Sequence, residues 1–490
     1  MGLFDLFRSE GLGRVPLYLY NTLGAVKQEF NAVKKDNLVR MYNCGPTVYG
    51  RQHIGNLSMF VFTDILRRTL QYNGFNVKQV INFTDFGHLT SDADEGEDKM
   101  TKGLKREGLA LTMANMRSLG EKYSQLFLED MRALNVEVDT VTFPRASDYI
   151  PAQIAMIRTL EEKGYAYRTK SGVMYDTSRF PSYGQLGNID LSSLKEGARV
   201  KADPEKRSPT DFILWKSDKK LGWDSPWGKG FPGWHIECSA MIRSTLGEQI
   251  DIHTGGIEHV AIHHNNEIAQ SEAATGKKPF SRFWLHRAHI QLAGGKIAKS
   301  KGNVVYLSDV IERGFHPLSL RYLFLGAHYR TPMNFTWESL AAAQTAYGKL
   351  LAYCKDKERA TAPNNKWHTI FHQRFNDDID TPGALATAWQ MIKDNSLSKE
   401  EKIATLLDAD CVLGLKLSDP DERAQELASK ELRAELTLFD LPEAIRTFIA
   451  ERETARKDKD WARADQLRTK ILDCGYEIDD AHGSSRVFKL

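Results

Sequence analysis

Two segments of this chain carry residue types that handle phosphate, and three carry types that hold a soft metal ion. The first phosphate candidate is His53-Ile54-Gly55-Asn56, just ahead of apolar residues at helical spacing. A helix N-terminus offers unpaired N–H groups and the positive end of a dipole. Gly55 has no Cβ and permits close approach of a nucleotide, and His53 can donate a hydrogen bond to a phosphate oxygen. The second candidate is the loop from Gly294 to Asn303, where Lys296, Lys299 and Lys301 supply positive charge. Phosphoryl and nucleotidyl transfer need such charge where negative charge develops on the leaving group. Alone, the first segment reads more readily as a helix-capping loop, and the second reads equally as an exposed basic turn. Their order says more: a histidine-glycine loop opening a helix, then a lysine loop after the last strand of the same α/β region.

The metal candidates are Cys44, Cys238, His263 and Glu267. On a helix, His263 and Glu267 at i and i+4 face one side and can chelate one ion. Two thiolates, an imidazole and a carboxylate suit Zn²⁺ by softness and charge. The chain has five cysteines and no CxxC pair, so any metal site is assembled from distant segments and the thiols are expected reduced. On periodicity alone His264 is as available as His263, and a buried structural cysteine is the better reading of any one thiol.

The elements that must position these residues follow from pattern. Leu38 to Tyr42 reads as a strand; Phe62, Ile65, Leu66 and Leu70 recur at helical spacing, with Gly74 as the stop; Val77 to Phe83 reads as a second strand. This βαβ unit puts its loop at the C-terminal end of a strand, where open α/β sheets bind ligands. Residues 110 to 200 read as an insertion, with a helix near Ala152 to Lys163 and a hairpin of Tyr165 to Tyr167 and Val173 to Tyr175 about Lys170-Ser171-Gly172. The α/β pattern resumes near residue 211, with strands at Ile250 to His253, leading into Gly255-Gly256, and at Trp284 to His289. Beyond about residue 340 the pattern is helical, with no strand expected, and Cys354, Cys411 and Cys474 read as packing residues.

At 490 residues the chain exceeds one hydrophobic core and predicts two to four domains. A net charge of +2 neither requires nor forbids a nucleic-acid partner. No stretch of about 18 uncharged apolar residues occurs, so no membrane span is expected. Met1 to Arg8 lacks the pattern of a secretory signal, which predicts a cytoplasmic protein. The acidic run Asp92 to Asp98 reads as a solvated loop.

The two loops resemble the HIGH and KMSKS signatures of the class I aminoacyl-tRNA synthetases, with Asn56 closing the first and Lys296-Ile297-Ala298-Lys299-Ser300 forming the second. Ile297 and Ala298 stand where the signature has methionine and serine. Cys44 to Tyr49, Asp211 to Lys216, Pro232 to Met241 and His263 to Ala274 resemble, in order, the signatures of the cysteinyl branch. Phe375 to Pro382 is similar to the helical-domain motif of that branch and Ala455 to Asp465 to its C-terminal motif, so the resemblance runs from about residue 17 to the end. Gly483 to Arg486 departs from the usual ending of that branch.

The resemblance implies a Rossmann-like catalytic domain in two halves, residues 1–110 and 206–340, with a connective subdomain at 111–205, a helical bundle at 341–435 and an anticodon-binding region at 436–490. It implies one Zn²⁺ per chain on Cys44, Cys238, His263 and Glu267, with Gly45, Thr47, Thr84 and Trp234 shaping a cysteine pocket. His53, Gly55, Asn56, Gly255, Gly256, Glu258 and Lys299 would hold ATP with Mg²⁺; His53, Asn56, Lys296 and Lys299 would act on the α-phosphate. Glu258 stands where the family pattern has aspartate. The implied partners are ATP, L-cysteine and tRNA(Cys), the last read by the locally basic C-terminal helices, with a monomeric chain. Two rivals remain: a ligase passing cysteine to an amino sugar, argued against by the C-terminal region, and a weak paralogue that binds tRNA or cysteine as a regulator.

Overall fold

The computed structural model of the chain describes residues 15–86, 99–189, 205–292, 295–296, 304–432, 435–436, 441–480 and 486–489. Its centre is a parallel sheet of four strands in the order Ser281–Arg287, Ile250–Gly256, Leu38–Asn43, Asn76–Ile81. The strands are apolar on both faces, as parallel strands covered by helices must be; Val39, Met41, Tyr42, Ile250, Ile252, Phe283 and Leu285 are all fully buried. The helix Ile54–Tyr72 makes the expected crossover from Leu38–Asn43 to Asn76–Ile81. It stops beside Gly74, which adopts a left-handed φ of +83°. Chain connections leave Leu38–Asn43 toward neighbours on either side, and that reversal opens a crevice beyond its C-terminal end, at Cys44.

After this unit come the helices Lys99–Arg106, Met113–Ala133 and Ile150–Glu162, then an antiparallel sheet of Ala166–Thr169, Gly172–Tyr175, Phe212–Ser217 and Gly230–Pro232. The expected hairpin is present, with Tyr167 opposite Met174. Gly172 is required there: its φ is +143° and a Cβ would lie 1.8 Å from the Trp215 carbonyl oxygen.

Helices fill most of residues 337–432, and their apolar faces do not form a separate core. One cluster runs from Met41, Leu66, Ile252 and Phe283 of the sheet layer into Tyr347, Phe371, Phe375 and Leu413. The last segment has its own small core of Leu441, Ile445, Ile449, Ile471, Ile478 and Val487. The expectation of no strand beyond residue 340 is corrected here. Glu435–Leu436, Arg486–Lys489 and Tyr476–Asp479 form a three-stranded antiparallel sheet. Ile478 and Val487 pair across it and cover the apolar side of the two terminal helices. Cys474 is also corrected: it is exposed at the end of a helix, whereas Cys354 is buried and Cys411 half-buried. Among the described residues no helix is long and apolar enough to cross a membrane.

A buried ion cluster joins these layers. Asp64, on the crossover helix, accepts from Arg321 Nη2 at 2.6 Å and Arg68 Nε at 2.7 Å. Arg321 also donates to the carbonyls of Leu413 at 2.7 Å and Leu134 at 2.9 Å, so one guanidinium ties three distant segments. Burial opposes the charge on Asp64, but Arg68 and Arg321 outweigh it and hold the carboxyl below its usual range. Asp64→Ala leaves Arg321 buried without its counter-charge. It should cost about 3–5 kcal/mol in a denaturant titration; a loss under about 1 kcal/mol, the scale of an exposed pair, would show that water replaces the carboxylate.

Candidate active site and metal centre

The crevice at the end of Leu38–Asn43 is a cleft of about 300 Å³. Its lining brings together residues that the sequence holds far apart: Cys44, Gly45, Thr47, His53, Gly55, Asn56, Thr84, Trp234, Cys238, Gly256, Glu258 and His263. Backbones must approach closely to do this. A Cβ on Gly45 would lie 1.6 Å from the Asn82 carbonyl oxygen, and one on Gly233 would lie 2.0 Å from that of Ile213.

At one end His53 caps the crossover helix, its Nδ1 accepting the Asn56 N–H at 3.2 Å. The capping role and a phosphate-binding role are compatible. With Nδ1 as acceptor, the neutral ring carries its proton on Nε2, the atom able to donate to an anion. The chain just after the lysine loop pairs here as well: Ile54 N donates to Val305 O at 2.9 Å, and His53 bridges Tyr306. Gly295–Lys296 forms a two-residue strand antiparallel to Ile290–Leu292, and Ile290 lines the cleft. Lys299, with the rest of residues 297–303, lies outside the described residues, as does the acidic run 92–98.

At the other end lie the metal candidates. One ligand atom from each of Cys44, Cys238, His263 and Glu267 falls within 4.8 Å of the other three. A second set, Cys44, His253, His264 and Glu267, meets the same criterion. Donor chemistry separates them: the first has two sulfurs and suits Zn²⁺, the second trades one sulfur for an imidazole. The first set is also oriented from behind, His263 Nδ1 meeting His235 Nδ1 at 2.9 Å and His253 Nε2 meeting Glu267 Oε2 at 2.9 Å. Hydrogen bonding from Cys44, against burial, lowers the Cys238 thiol to about 6. Burial opposes charge on His263, but Glu267 and Cys238 raise it to about 10. The Cys44 thiol, pushed up by burial, and the His263 imidazolium carry the protons that a divalent ion would displace, while the Cys238 thiolate and the Glu267 carboxylate are already in ligand form. The residues present fit Zn²⁺.

Trp234 begins a helix and lies against His263 with ring centroids 4.6 Å apart, and the Lys99 ammonium sits 5.1 Å over its face. Thr84 donates to Glu237 at 2.9 Å and pairs with Thr47 as an isolated bridge. Gly255 does not line the cleft. It sits beneath, where a Cβ would meet His259 and His264 at 2.6 Å. Glu258 faces His289 across the mouth, 3.5 Å apart.

The sequence reading missed Lys99, Arg287, His259 and His289 as lining residues, and the imidazole layer of His235, His253, His259 and His286 around the metal candidates. Burial drives His235, His264 and His286 well below the ordinary histidine range and His259 to about 4, so these rings stay neutral. No local signal marked them: His253 lies in the middle of a strand and His235 within a helix. In the terminal unit, Arg452 and Arg456 are both held by Asp480 and Arg463 by Glu451, while Trp461 is 60% exposed.

Comparison with known proteins agrees over the whole chain. Residues 30–345 match the family model of the class I (C) tRNA synthetase catalytic domain, and residues 438–484 that of the cysteinyl-tRNA ligase anticodon-binding domain. Similar proteins include cysteine--tRNA ligase 1 of Burkholderia lata, 43% identical over 97% of both chains. Another is the cysteine--tRNA ligase of Treponema denticola, 39% identical over 97% of this chain and all of that one. Methionyl-tRNA synthetase of Mycobacterium tuberculosis, solved with methionyl-adenylate, shares the fold: TM-score 0.53, 14% identity, 84% of this chain and 96% of that one covered.

The thiolate-rich set predicts about one tightly bound zinc per chain by elemental analysis of protein purified without chelator. Cys238→Ser should lower that content. Full zinc retention in Cys238→Ser, with loss in His253→Ala instead, would move the ion to the second ligand set.

Proposed function

The chain belongs to the class I cysteine--tRNA ligase family and attaches cysteine to tRNA(Cys), and we propose that it selects cysteine at the thiolate-rich metal centre and activates it with the two phosphate-handling loops. The observation that carries this reading is the cleft itself: two thiols, an imidazole and a carboxylate gather at one end, and a helix N-terminus with its capping histidine stands at the other. An apolar pocket separates substrates differing in one small group by only ~1–3 kcal/mol, too little to reject serine. Cys44, Cys238, His263 and Glu267 would hold Zn²⁺, which would supply what shape cannot, a preference for soft, deprotonated sulfur over a hydroxyl.

The side chains divide the remaining work. Trp234, Gly45, Thr47 and Thr84 enclose the small amino acid beside the sulfur ligands. The cysteine carboxylate attacks the α-phosphorus of ATP, accompanied by Mg²⁺; the carboxylate–phosphorus bond forms as the bond to pyrophosphate breaks. His53 Nε2–H and Asn56 stabilise the charge on the α-phosphate, and Lys296 and Lys299 that on the departing pyrophosphate. Gly55, Gly256 and Glu258 receive the nucleotide near the cleft mouth, with Gly255 shaping the wall from beneath. The terminal adenosine 2′-hydroxyl of tRNA then takes the cysteinyl group and releases AMP.

We assign anticodon contact to the terminal unit within residues 436–490, where exposed Trp461 offers a stacking plane and the match to an anticodon-binding domain lies. The same match speaks against an amino-sugar acceptor. We also place the protein in the cytoplasm as a monomer, acting on soluble substrates.

Lys299→Ala should lower cysteine-dependent pyrophosphate exchange about 10²–10³-fold, the usual cost of a transition-state contact. An unchanged rate would remove the lysine loop from the mechanism. A cut near residue 345 would open the shared core, whereas deleting residues 438–490 removes a unit with its own core. That deletion should leave exchange intact and raise KM for tRNA, because uniform binding is lost while the chemistry stays. A truncated enzyme that charges tRNA with unaltered KM would place RNA recognition elsewhere.

A further inference from the structure

We propose that Asp378, in the helical region, is a positioning residue for the nucleotide side of the cleft, acting through Tyr329 on the segment Arg287-Ala288-His289. The inference rests on the reading of this cleft as the ATP site. It starts from the motif Phe375 to Pro382, which the activity leaves unexplained: no residue of it lines the cleft.

Asp378 is 2% exposed, and it and Ile379 adopt left-handed φ values of +55° and +58°, a conformation non-glycine residues rarely take. Two such residues in succession turn the Asp378 carboxylate onto three groups of other segments. Its Oδ1 accepts from Tyr329 Oη at 2.7 Å and Tyr20 N at 2.8 Å, and its Oδ2 from Arg330 Nε at 2.8 Å. Its backbone is held too, the carbonyl meeting His328 Nε2 at 2.9 Å and the N–H donating to Tyr18 O at 2.8 Å.

Tyr329 is the relay. Its carbonyl accepts from Ala288 N at 2.8 Å and Arg287 Nη1 at 3.0 Å. Its ring stacks on Phe62 at 4.4 Å and 14°, on the same helix that His53 opens. Arg287, Ala288 and His289 all line the cleft. One tyrosine therefore touches both structures that face the nucleotide: the helix with the capping histidine and the strand end on the opposite wall. A small cavity lies beside Arg287, Tyr329, Phe62 and Ile379. The hydrogen bond to Asp378 adds a directional restraint to the stacking that holds the ring.

Arg287 gives the segment its consequence. The guanidinium is 4% exposed, and its Nη2 has no hydrogen-bond partner among the described residues. A buried cation beneath a cleft meant for a polyphosphate contributes attraction that depends on where it is held. The candidate zinc ligands sit on other elements, so a shift of residues 287–289 weakens ATP binding more than it disturbs the sulfur end, which it reaches through the His286–His264 contact at 2.8 Å.

The test uses full-length Tyr329→Phe, Asp378→Asn, Arg287→Gln and the Tyr329→Phe/Arg287→Gln pair. In cysteine-dependent pyrophosphate exchange, Tyr329→Phe and Asp378→Asn should raise KM for ATP about three- to tenfold, the scale of one lost hydrogen bond, with KM for cysteine and zinc content unchanged. The double variant should show less than the product of the two single effects, because both act on one segment. Calorimetric titration with ATP alone should report the same weakening without any reaction. Tyr329→Phe removes a single atom, so it keeps the question answerable if Asp378→Asn does not fold. Unchanged ATP affinity in Tyr329→Phe, or equal losses for ATP and cysteine, would overturn the proposal. A wild-type enzyme that binds ATP but shows no exchange with cysteine would instead overturn the activity reading, and the calorimetric comparison would still decide the role of Asp378.

Discussion

The catalytic half is organised around a buried carboxylate. Glu267 is wholly inaccessible, its two oxygens facing His253 at 2.9 Å and His263 at 3.0 Å, with the Cys44 thiol at 3.7 Å. An ionised carboxylate taken out of water is strongly destabilising unless paired and hydrogen-bonded. Its neighbours come from the end of one strand, the middle of another and two helices, so the fold has to deliver residues 44, 238, 253 and 263 to one point. The switch point of a parallel sheet is a place where such distant segments converge. The close backbone approaches at Gly45, Gly233 and Gly255 follow from the same demand, since each leaves no room for a Cβ.

That constraint divides the cleft electrostatically. Around the sulfur ligands the additional imidazoles are neutral, because burial holds them far below the ordinary histidine range. They orient ligands by hydrogen bonds without adding charge that would repel a divalent ion. Positive character is gathered at the other end of the cleft instead, in the helix dipole at His53 and in Arg287. In the proposed reading, a selector built on soft coordination and an activator built on cationic stabilisation share one cavity without cancelling each other.

Local pattern made much of this legible. The crossover helix, its stop at Gly74, the hairpin about Gly172 and the opening His53-Ile54-Gly55-Asn56 each announce themselves within a few residues, because turns, caps and helical periodicity are short-range. Resemblance, rather than spacing, chose His263 over His264, and the geometry alone still admits a set containing His264. The imidazole layer was illegible because a lone histidine in a strand or helix looks the same whether it faces a metal or packs in a core. Arg287, Tyr329 and Asp378 were hidden by separation: their contacts span 42 and 49 positions, and no local rule joins them. The terminal strands escaped because four residues such as Tyr476 to Asp479 carry too little alternation to outweigh the helices before them.

The cores show which parts of the chain answer to one another. The apolar cluster under the sheet is continuous with the helices of residues 337–432, and the Asp64–Arg321 pair is closed by carbonyls at Leu134 and Leu413. The helical region therefore belongs to the scaffold of the cleft. Close-packed interiors transmit displacement rather than absorb it, so the position of the nucleotide wall depends on side chains such as Tyr347 and Phe375 that never approach it. The terminal unit, closed around Ile445, Ile449 and Ile471, shares no such core. Among the described residues its packing is independent of that of the cleft, which suits the proposed role of a segment reading one end of a long RNA while the other end is held at the chemistry.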